Sequence, residues 1–285
     1  MRHQRAQDFL GRLPELRNEL PFSPDLLRRL TEQTRADSQS SLDAVAETLS
    51  ADQGLATRVL VMANSAFYGL QAEVASVGRA VAVLGLREVR NIVLALGIKG
   101  LCSTHSLPSQ FDLKQYWTHQ VTVSLLAAEL ARLHGAAPDM LFTAGLLHDL
   151  GKLILALQCP DDWLEIHAAA ESRGVPFCDA EDAYWGIDHA VAGALLLRSW
   201  DLPAALCEPV NWHHAPGSAP EYQLEAAILC LANALAHRMD SAGERTGRGA
   251  RSALQLLELD PELALREASD AVRPEMVDEF VALLA

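Results

Sequence analysis

The chain has 285 residues, half of them hydrophobic, which suffices for the core of one large domain or of two lobes. Its 37 acidic residues outnumber its 23 basic ones, and the net charge of −14 argues against direct nucleic-acid binding, because such a surface repels phosphate. The five cysteines are scattered and never form a CxxC pair, which argues against a disulfide framework.

The first third of the chain reads as a helical lobe. Gly85 is expected to separate its last two helices, and Asn64 to cap the end of an earlier one. Apolar residues at helical spacing predict helices over residues 23–34, 41–49, 54–64, 77–84 and 86–101.

A second helical lobe is predicted beyond the polar stretch 103–112. Gly135 is expected to end its first helix, and residues 241–251 are rich in Gly and Arg, which is typical of a mobile loop. The predicted helices cover residues 113–134, 142–157, 161–173, 181–200, 203–214 and 221–238, with short ones after Pro261 and Pro274.

Together these elements predict an all-α fold of two packed helical lobes, since no run of alternating β-branched residues occurs. The predicted division is an N-terminal lobe over 1–105, a second helical bundle over 106–240, and a loop with C-terminal helices over 241–285 that pack on the domain. The N-terminus lacks an apolar leader, and charged residues interrupt every apolar stretch. We therefore expect a cytoplasmic protein without membrane association.

The segment AGLLHDLGKLILAL contains two adjacent polar groups, His148 and Asp149, in an otherwise apolar helix. Burying a carboxylate is costly unless it is paired or binds a cation, and imidazole with carboxylate suits divalent iron, manganese or zinc. Gly145 and Gly151 flank the pair and would permit a close helix approach. A His–Asp hydrogen bond within the core explains the pair equally well when it is considered alone.

Further apolar helices each present isolated polar groups in the same half of the chain. A single histidine of this kind is more often a hydrogen-bonded core residue than a ligand. A series of helices that each aim one polar group inward is, however, how metal centres in helical bundles are built. The pattern therefore predicts a metal site from His119, His148, Asp149, His189, His213, His214 and Asn233.

The order of these residues resembles the HD superfamily of metal-dependent phosphohydrolases, and most closely its HD-GYP phosphodiesterases. The resemblance implies an HD-like helical bundle in which Asp149 bridges two metals. It assigns one metal to His119 and His148, and the other to His189, His213 and His214.

Three departures from that pattern concern the chemistry. Asn233 stands where the family has a final aspartate, so one anionic ligand is replaced by a neutral and weaker one. Nothing in the chain matches the GYP signature. Gln115 stands four residues before His119, where some members carry an additional glutamate.

The first lobe resembles the HDOD domain. The resemblance rests on LPFSP at 20–24, DQGLATRVLVMANSAFYG at 52–69 and AVAVLGL at 80–86, and continues through GLLHDLGK and GIDHAVAGALLL followed by SWDLP. The resemblance implies an output domain of bacterial signalling proteins, in a family whose members mostly resemble degenerate hydrolases with regulatory or scaffolding roles.

Two hypotheses about function follow. The first is a non-catalytic signal-transduction module that receives its input from a separate signalling protein and holds one or two divalent metals, but no organic cofactor. The second is a metal-dependent phosphohydrolase that acts on a cyclic dinucleotide or a nucleotide phosphate, with Asp149 and Lys152 as its catalytic residues. Under the second hypothesis a nucleotide is a ligand.

Overall fold

The computed structural model describes residues 2–13, 15–16, 24–34, 38–65, 68, 73–104, 106–239, 249–260, 266 and 272–284. Throughout these residues the chain forms helices, turns and irregular segments, with no strand, so the all-α prediction is confirmed. Four sequence features lie wholly or partly outside them: residues 20–23 of LPFSP, much of SAFYG, the Gly- and Arg-rich segment, and the helix after Pro261.

The helices are numbered here in chain order, and a 3₁₀ turn at Pro216–Ser218 precedes α14. They are α1 (Arg2–Arg12), α2 (Pro24–Gln33), α3 (Leu42–Ser50), α4 (Gln53–Ala63), α5 (Val77–Leu84), α6 (Leu86–Thr104), α7 (Leu113–Leu133), α8 (Pro138–Leu147), α9 (Leu150–Gln158), α10 (Pro160–Arg173), α11 (Phe177–Trp185), α12 (His189–Ser199), α13 (Ala204–Trp212), α14 (Gln223–Met239), α15 (Ala250–Leu256) and α16 (Pro274–Leu284).

The chain forms two compact units that are not continuous in sequence. The N-terminal unit comprises Glu15–His105 and Pro274–Ala285, and the site-bearing unit comprises Met1–Pro14 and Ser106–Arg273. This division differs from the predicted one at both ends of the chain. Helix α1, which the sequence did not predict, groups with the site-bearing unit because Phe9 packs against Trp185 at a ring-centroid distance of 5.0 Å.

In the N-terminal unit, short polar caps start the helices. Ser41, Asp52 and Ser76 each accept a backbone N–H from the first turn of α3, α4 and α5 respectively. Gly85 has a φ of +83°, a conformation that favours glycine, and it separates α5 from α6 as predicted. Helix α16 packs against α6 and belongs to the N-terminal unit.

In the site-bearing unit, the long buried helix α7 packs against α8 and α14, while α9 packs against α12, and α12 against α13. Asp112 caps the start of α7 by accepting the N–H of Gln115, and Gly135 follows its end with a φ of +69°. These six helices form the bundle that carries all the predicted ligands.

Two predicted continuous helices are broken in the structure. The helix predicted over 142–157 is divided into α8 and α9 by a turn at His148 and Asp149. The helix predicted over 181–200 is divided into α11 and α12, because Gly186 adopts a left-handed conformation with a φ of +80° and Asp188 caps a new helix start. Both breaks lie next to predicted ligands.

The apolar segment Pro138–Gln158 is long enough to cross a membrane by length and composition. However, 89% of its apolar window is buried inside the structure. The core helices of a folded bundle have the same property, and this segment packs at the centre of the site-bearing unit.

Candidate metal centre

The turn between α8 and α9 places His148 and Asp149 in the core, where they are 0% and 2% exposed. His148 donates its Nδ1 proton to the backbone oxygen of Gly145 at 2.8 Å. This bond fixes the ring and leaves Nε2 with a lone pair, 3.4 Å from Asp149 Oδ1. Among the residues that the structure describes, Nε2 of His148 has no hydrogen-bond partner.

His213 repeats this arrangement at the end of α13. Its ring is fully buried, and Nδ1 donates to the backbone oxygen of Val210 at 2.7 Å. Nε2 then lies 3.9 Å from Asp149 Oδ1 and has no hydrogen-bond partner within the described part of the chain. Two rings from different helices thus present unpaired nitrogens to the same carboxylate oxygen.

His189, the first residue of α12, is held from behind by a carboxylate. Its Nδ1 lies 2.5 Å from Glu181 Oε2, which also accepts the backbone N–H of His189 at 3.0 Å. On the opposite side of the ring, Nε2 lies 3.0 Å from Asp149 Oδ1 and 2.9 Å from His214 Nε2. His189 therefore lies between two buried carboxylates.

His119 and Asn233 lie on the other side of Asp149. Nε2 of His119 is 3.9 Å from Asp149 Oδ2 and 3.0 Å from Asn233 Oδ1. Because an amide oxygen only accepts, the Nε2 atom of His119 donates in this contact. The ammonium of Lys152 lies 2.9 Å from the same Asp149 Oδ2, so Lys152 contacts the predicted site directly.

Four predicted ligands therefore surround the Asp149 carboxylate: His119, His148, His189 and His213. His214 contacts His189, and Asn233 contacts His119. Apart from Asn233, the donor atoms fall into two groups, within each of which the atoms lie at most 4.8 Å apart: His189, His213 and His214 in one, and His119, His148 and Asp149 in the other.

The residues fit a divalent cation. Nε2 of His148 and Nε2 of His213 are buried, have no hydrogen-bond partner among the described residues, and lie 3.4 and 3.9 Å from Asp149 Oδ1. Leaving such nitrogens unpaired is costly, whereas a cation would engage both of them and the carboxylate. Nitrogen donors with one carboxylate suit iron, manganese or zinc.

Burial controls the protonation of three of the rings. It lowers the pKa of His148 and of His214 well below the usual range, and lowers the pKa of His213 to about 4. At neutral pH these rings are therefore neutral. A neutral imidazole offers the lone pair that metal binding requires.

The charged groups of the site stabilise one another. Burial opposes the charge of Asp149, but the adjacent His148 ring, together with the positive charges of Lys152 and His189, outweighs burial and holds the pKa of this carboxyl well below its usual range. Burial would lower the pKa of His189, yet the carboxylates of Glu181 and Asp149 raise it to about 10. Burial in turn raises the pKa of Glu181.

Two glycines allow the helices to come close enough for this convergence. A Cβ at Gly145 would lie 2.6 Å from the Cα of Ser124, so α8 and α7 touch backbone to backbone. A Cβ at Gly151 would lie 2.1 Å from the backbone oxygen of His189. The close helix approach predicted at these two glycines is confirmed.

Sequence reasoning missed two members of the site. Glu181 is 1% exposed and holds His189, although on a predicted helix it looked like an ordinary charged residue. The second is His237, whose ring stacks on His119 at a centroid distance of 4.5 Å. The sequence did contain a signal for His237: it lies four residues after Asn233, a spacing that places both side chains on one face of a helix.

The family model of the HDOD domain matches residues 20–216. The chain belongs to the HDOD family. This confirms the resemblance seen in the sequence motifs, and it places His119, His148, Asp149, His189 and His213 within the matched part of the HDOD domain.

Solved structures share the fold along nearly the whole chain. A proposed phosphohydrolase from Shewanella amazonensis is 29% identical, with a TM-score of 0.74 over 96% of this chain and 98% of that one. An HDOD domain protein of unknown function from Geobacter sulfurreducens is 25% identical, with a TM-score of 0.72 over 99% of this chain and 92% of that one.

Two further relatives are longer than this HDOD protein. A proposed signal transduction protein from Marinobacter aquaeolei, 22% identical, has a TM-score of 0.78 over 100% of this chain and 66% of its own, and shows the fold alone. An uncharacterized protein from Treponema pallidum is 26% identical over 266 residues, which is 91% of this chain. The chain spans 50% of the length of that curated relative.

Proposed function

We propose that this HDOD protein is a non-catalytic signal-transduction module whose site-bearing unit holds a divalent cation, and that a separate signalling protein supplies its input. The observation that carries the metal part is that two buried imidazole nitrogens, Nε2 of His148 and Nε2 of His213, face the Asp149 carboxylate without a hydrogen-bond partner among the described residues. A cation joined to ligands from several helices ties those helices together, since binding to the folded state alone stabilises it.

The ligand set supports a structural rather than a catalytic cation. Asn233 replaces an acidic ligand, which weakens one metal position and reduces the charge available to support a hydrolytic centre. His148 and His213 have no exposed surface, and His189 is only 2% exposed. A substrate has to reach the cation to react, and these rings leave little room on their side of the site.

Metal-dependent phosphohydrolysis is the second candidate. A bound divalent cation would activate water and polarise a phosphoryl oxygen. The side chains of Lys152 and His119 are 14% and 11% exposed, so this side of Asp149 offers some access for an anionic phosphate. The similarity to the Shewanella amazonensis protein, a proposed phosphohydrolase, also favours this candidate.

Metal analysis and a hydrolysis assay separate the two candidates. Protein purified anaerobically without chelator is compared with a variant that carries His148→Ala and Asp149→Ala together. We expect metal in the natural protein, little in the variant, and no hydrolysis of bis(p-nitrophenyl) phosphate or of a cyclic dinucleotide by either with added manganese or iron. Equal metal content in both would refute the metal site, and hydrolysis that the double substitution abolishes would favour the phosphohydrolase.

A further inference from the structure

The two oxygens of Asp149 have different surroundings. The inner half of the site comprises Asp149 Oδ1 with His189, His213 and His214, and the outer half comprises Asp149 Oδ2 with His119, Asn233 and Lys152. His148 lies between them, with Nε2 3.4 Å from Oδ1.

The inner half contains donor atoms that are available to a metal. Among the described residues Nε2 of His213 has no hydrogen-bond partner, and it lies 3.9 Å from Asp149 Oδ1. His189 brings a third nitrogen to within 3.0 Å of the same oxygen. The buried carboxylate of Glu181 behind His189 adds negative charge to this half.

In the outer half, protein groups already provide hydrogen-bond and ion-pair partners for the potential metal ligands. The ammonium of Lys152, 2.9 Å from Asp149 Oδ2, provides the positive charge that a second metal would bring. His119 donates from Nε2 to Asn233 Oδ1 at 3.0 Å, so the ring nitrogen that faces the site is engaged. A metal here would have to displace Lys152 and would gain no charge from the neutral Asn233.

We infer that this HDOD protein binds a single divalent ion, in the inner half of the site, and that Lys152 and Asn233 together exclude a second ion from the outer half. The inference rests on the proposed function, because it assumes that the site binds a metal. To the proposed metal site it adds the number of bound ions and the half of the site that holds them. It also assigns Lys152 a role as an internal cation that replaces a metal.

Metal counting on the full chain tests the inference. The purified protein is stripped with chelator, titrated anaerobically with Co²⁺ or Mn²⁺ and desalted, and bound metal is measured by mass spectrometry. We expect one equivalent per chain, and with Mn²⁺ the spectrum of an isolated ion by electron paramagnetic resonance. Two equivalents, or the spectrum of a coupled pair, would overturn the inference and leave the proposed metal site intact. No bound metal would overturn the proposed function itself.

Two single substitutions locate the ion. His213→Ala removes an inner ligand and should reduce binding at least tenfold, whereas His119→Ala should leave one equivalent in place. The opposite result would place the ion in the outer half and contradict the inference. Circular dichroism checks that both variants fold.

A variant that gains a second metal ion would test the inference without removing a ligand. The double substitution Lys152→Met and Asn233→Asp removes the ammonium and restores an anionic ligand. We expect it to raise the count from one equivalent to two. A count that stays at one would show that these residues do not exclude the second ion.

Discussion

Glu181 Oε2 accepts both the backbone N–H of His189, at 3.0 Å, and the ring Nδ1–H, at 2.5 Å. A single buried carboxylate thereby fixes the position of the residue and the orientation of its ring. The opposite nitrogen, Nε2, is directed at Asp149 as a consequence. Carboxylate–imidazole pairs of this kind raise the basicity of a metal ligand and hold its orientation.

Glu181→Gln should therefore weaken metal binding by about 10–100-fold, because glutamine keeps the side-chain length and loses the charge behind His189. Chelator competition with Co²⁺ measures the change in affinity. Glu171→Gln is the matched control, since Glu171 is exposed on α10 and should leave the affinity unchanged. Equal affinities for both variants would show that Glu181 does not support His189.

Gly151→Ala should destabilise the protein by about 1–3 kcal/mol, because its Cβ would lie 2.1 Å from the backbone oxygen of His189 and force α9 away from α12. It should also weaken metal binding, since His189 has to move. Chemical denaturation measures the free energy of unfolding. The control Gly11→Ala, on α1 of the same unit with no atom within 4 Å of the new Cβ, should be neutral or stabilising by up to about 1 kcal/mol. A neutral Gly151→Ala would contradict the packing argument.

The sequence revealed the ligands because they are polar residues within apolar stretches, as with the adjacent His148 and Asp149 between α8 and α9. The sequence could not predict which oxygen of Asp149 each ring faces, because that depends on how α9, α12 and α13 pack. Glu181 was missed for the opposite reason. Acidic residues are common on helices that face solvent, and only the packing of α11 buries this one.

The amino-acid composition also did not predict the helix break at His148 and Asp149. Leu, Ile and Ala surround the pair, and the nearest glycine, Gly151, lies inside the following helix. Local propensity favours one continuous helix there. At the break His148 Nδ1–H donates to the backbone oxygen of Gly145, and the start of α9 packs closely on α12 where Gly151 meets the backbone of His189. The break thus coincides with close tertiary packing, which can override local propensity.

Asp188 provides a test of whether helix capping supports the site. Its carboxylate accepts the N–H groups of Ala190 and Val191 at the start of α12, directly next to His189. Asp188→Ala should cost about 1 kcal/mol of stability and weaken Co²⁺ binding severalfold. Asp52→Ala removes the corresponding cap of α4 in the N-terminal unit, and should cost a similar amount of stability without changing metal affinity. If both variants bind metal like the natural protein, the cap does not position His189.

The pH dependence of metal binding follows from the protonation of His189. Its pKa is raised to about 10 by Glu181 and Asp149 against the effect of burial, so at neutral pH the ring carries protons on both nitrogens. His213, with a pKa lowered by burial to about 4, is already neutral. Binding through Nε2 of His189 has to displace one proton, whereas binding through His213 displaces none.

Metal binding should therefore release one proton per ion, and the affinity should rise about tenfold per pH unit between about pH 6 and 8. Isothermal titration calorimetry with Co²⁺ in buffers of different ionisation enthalpy measures the released proton directly. In Glu181→Gln the main group that raises the pKa of His189 is gone, so the ring is neutral over more of this range and both the release and the slope should decrease. A natural protein that binds Co²⁺ without proton release would show that His189 is not protonated at Nε2, and would contradict the assigned role of Glu181.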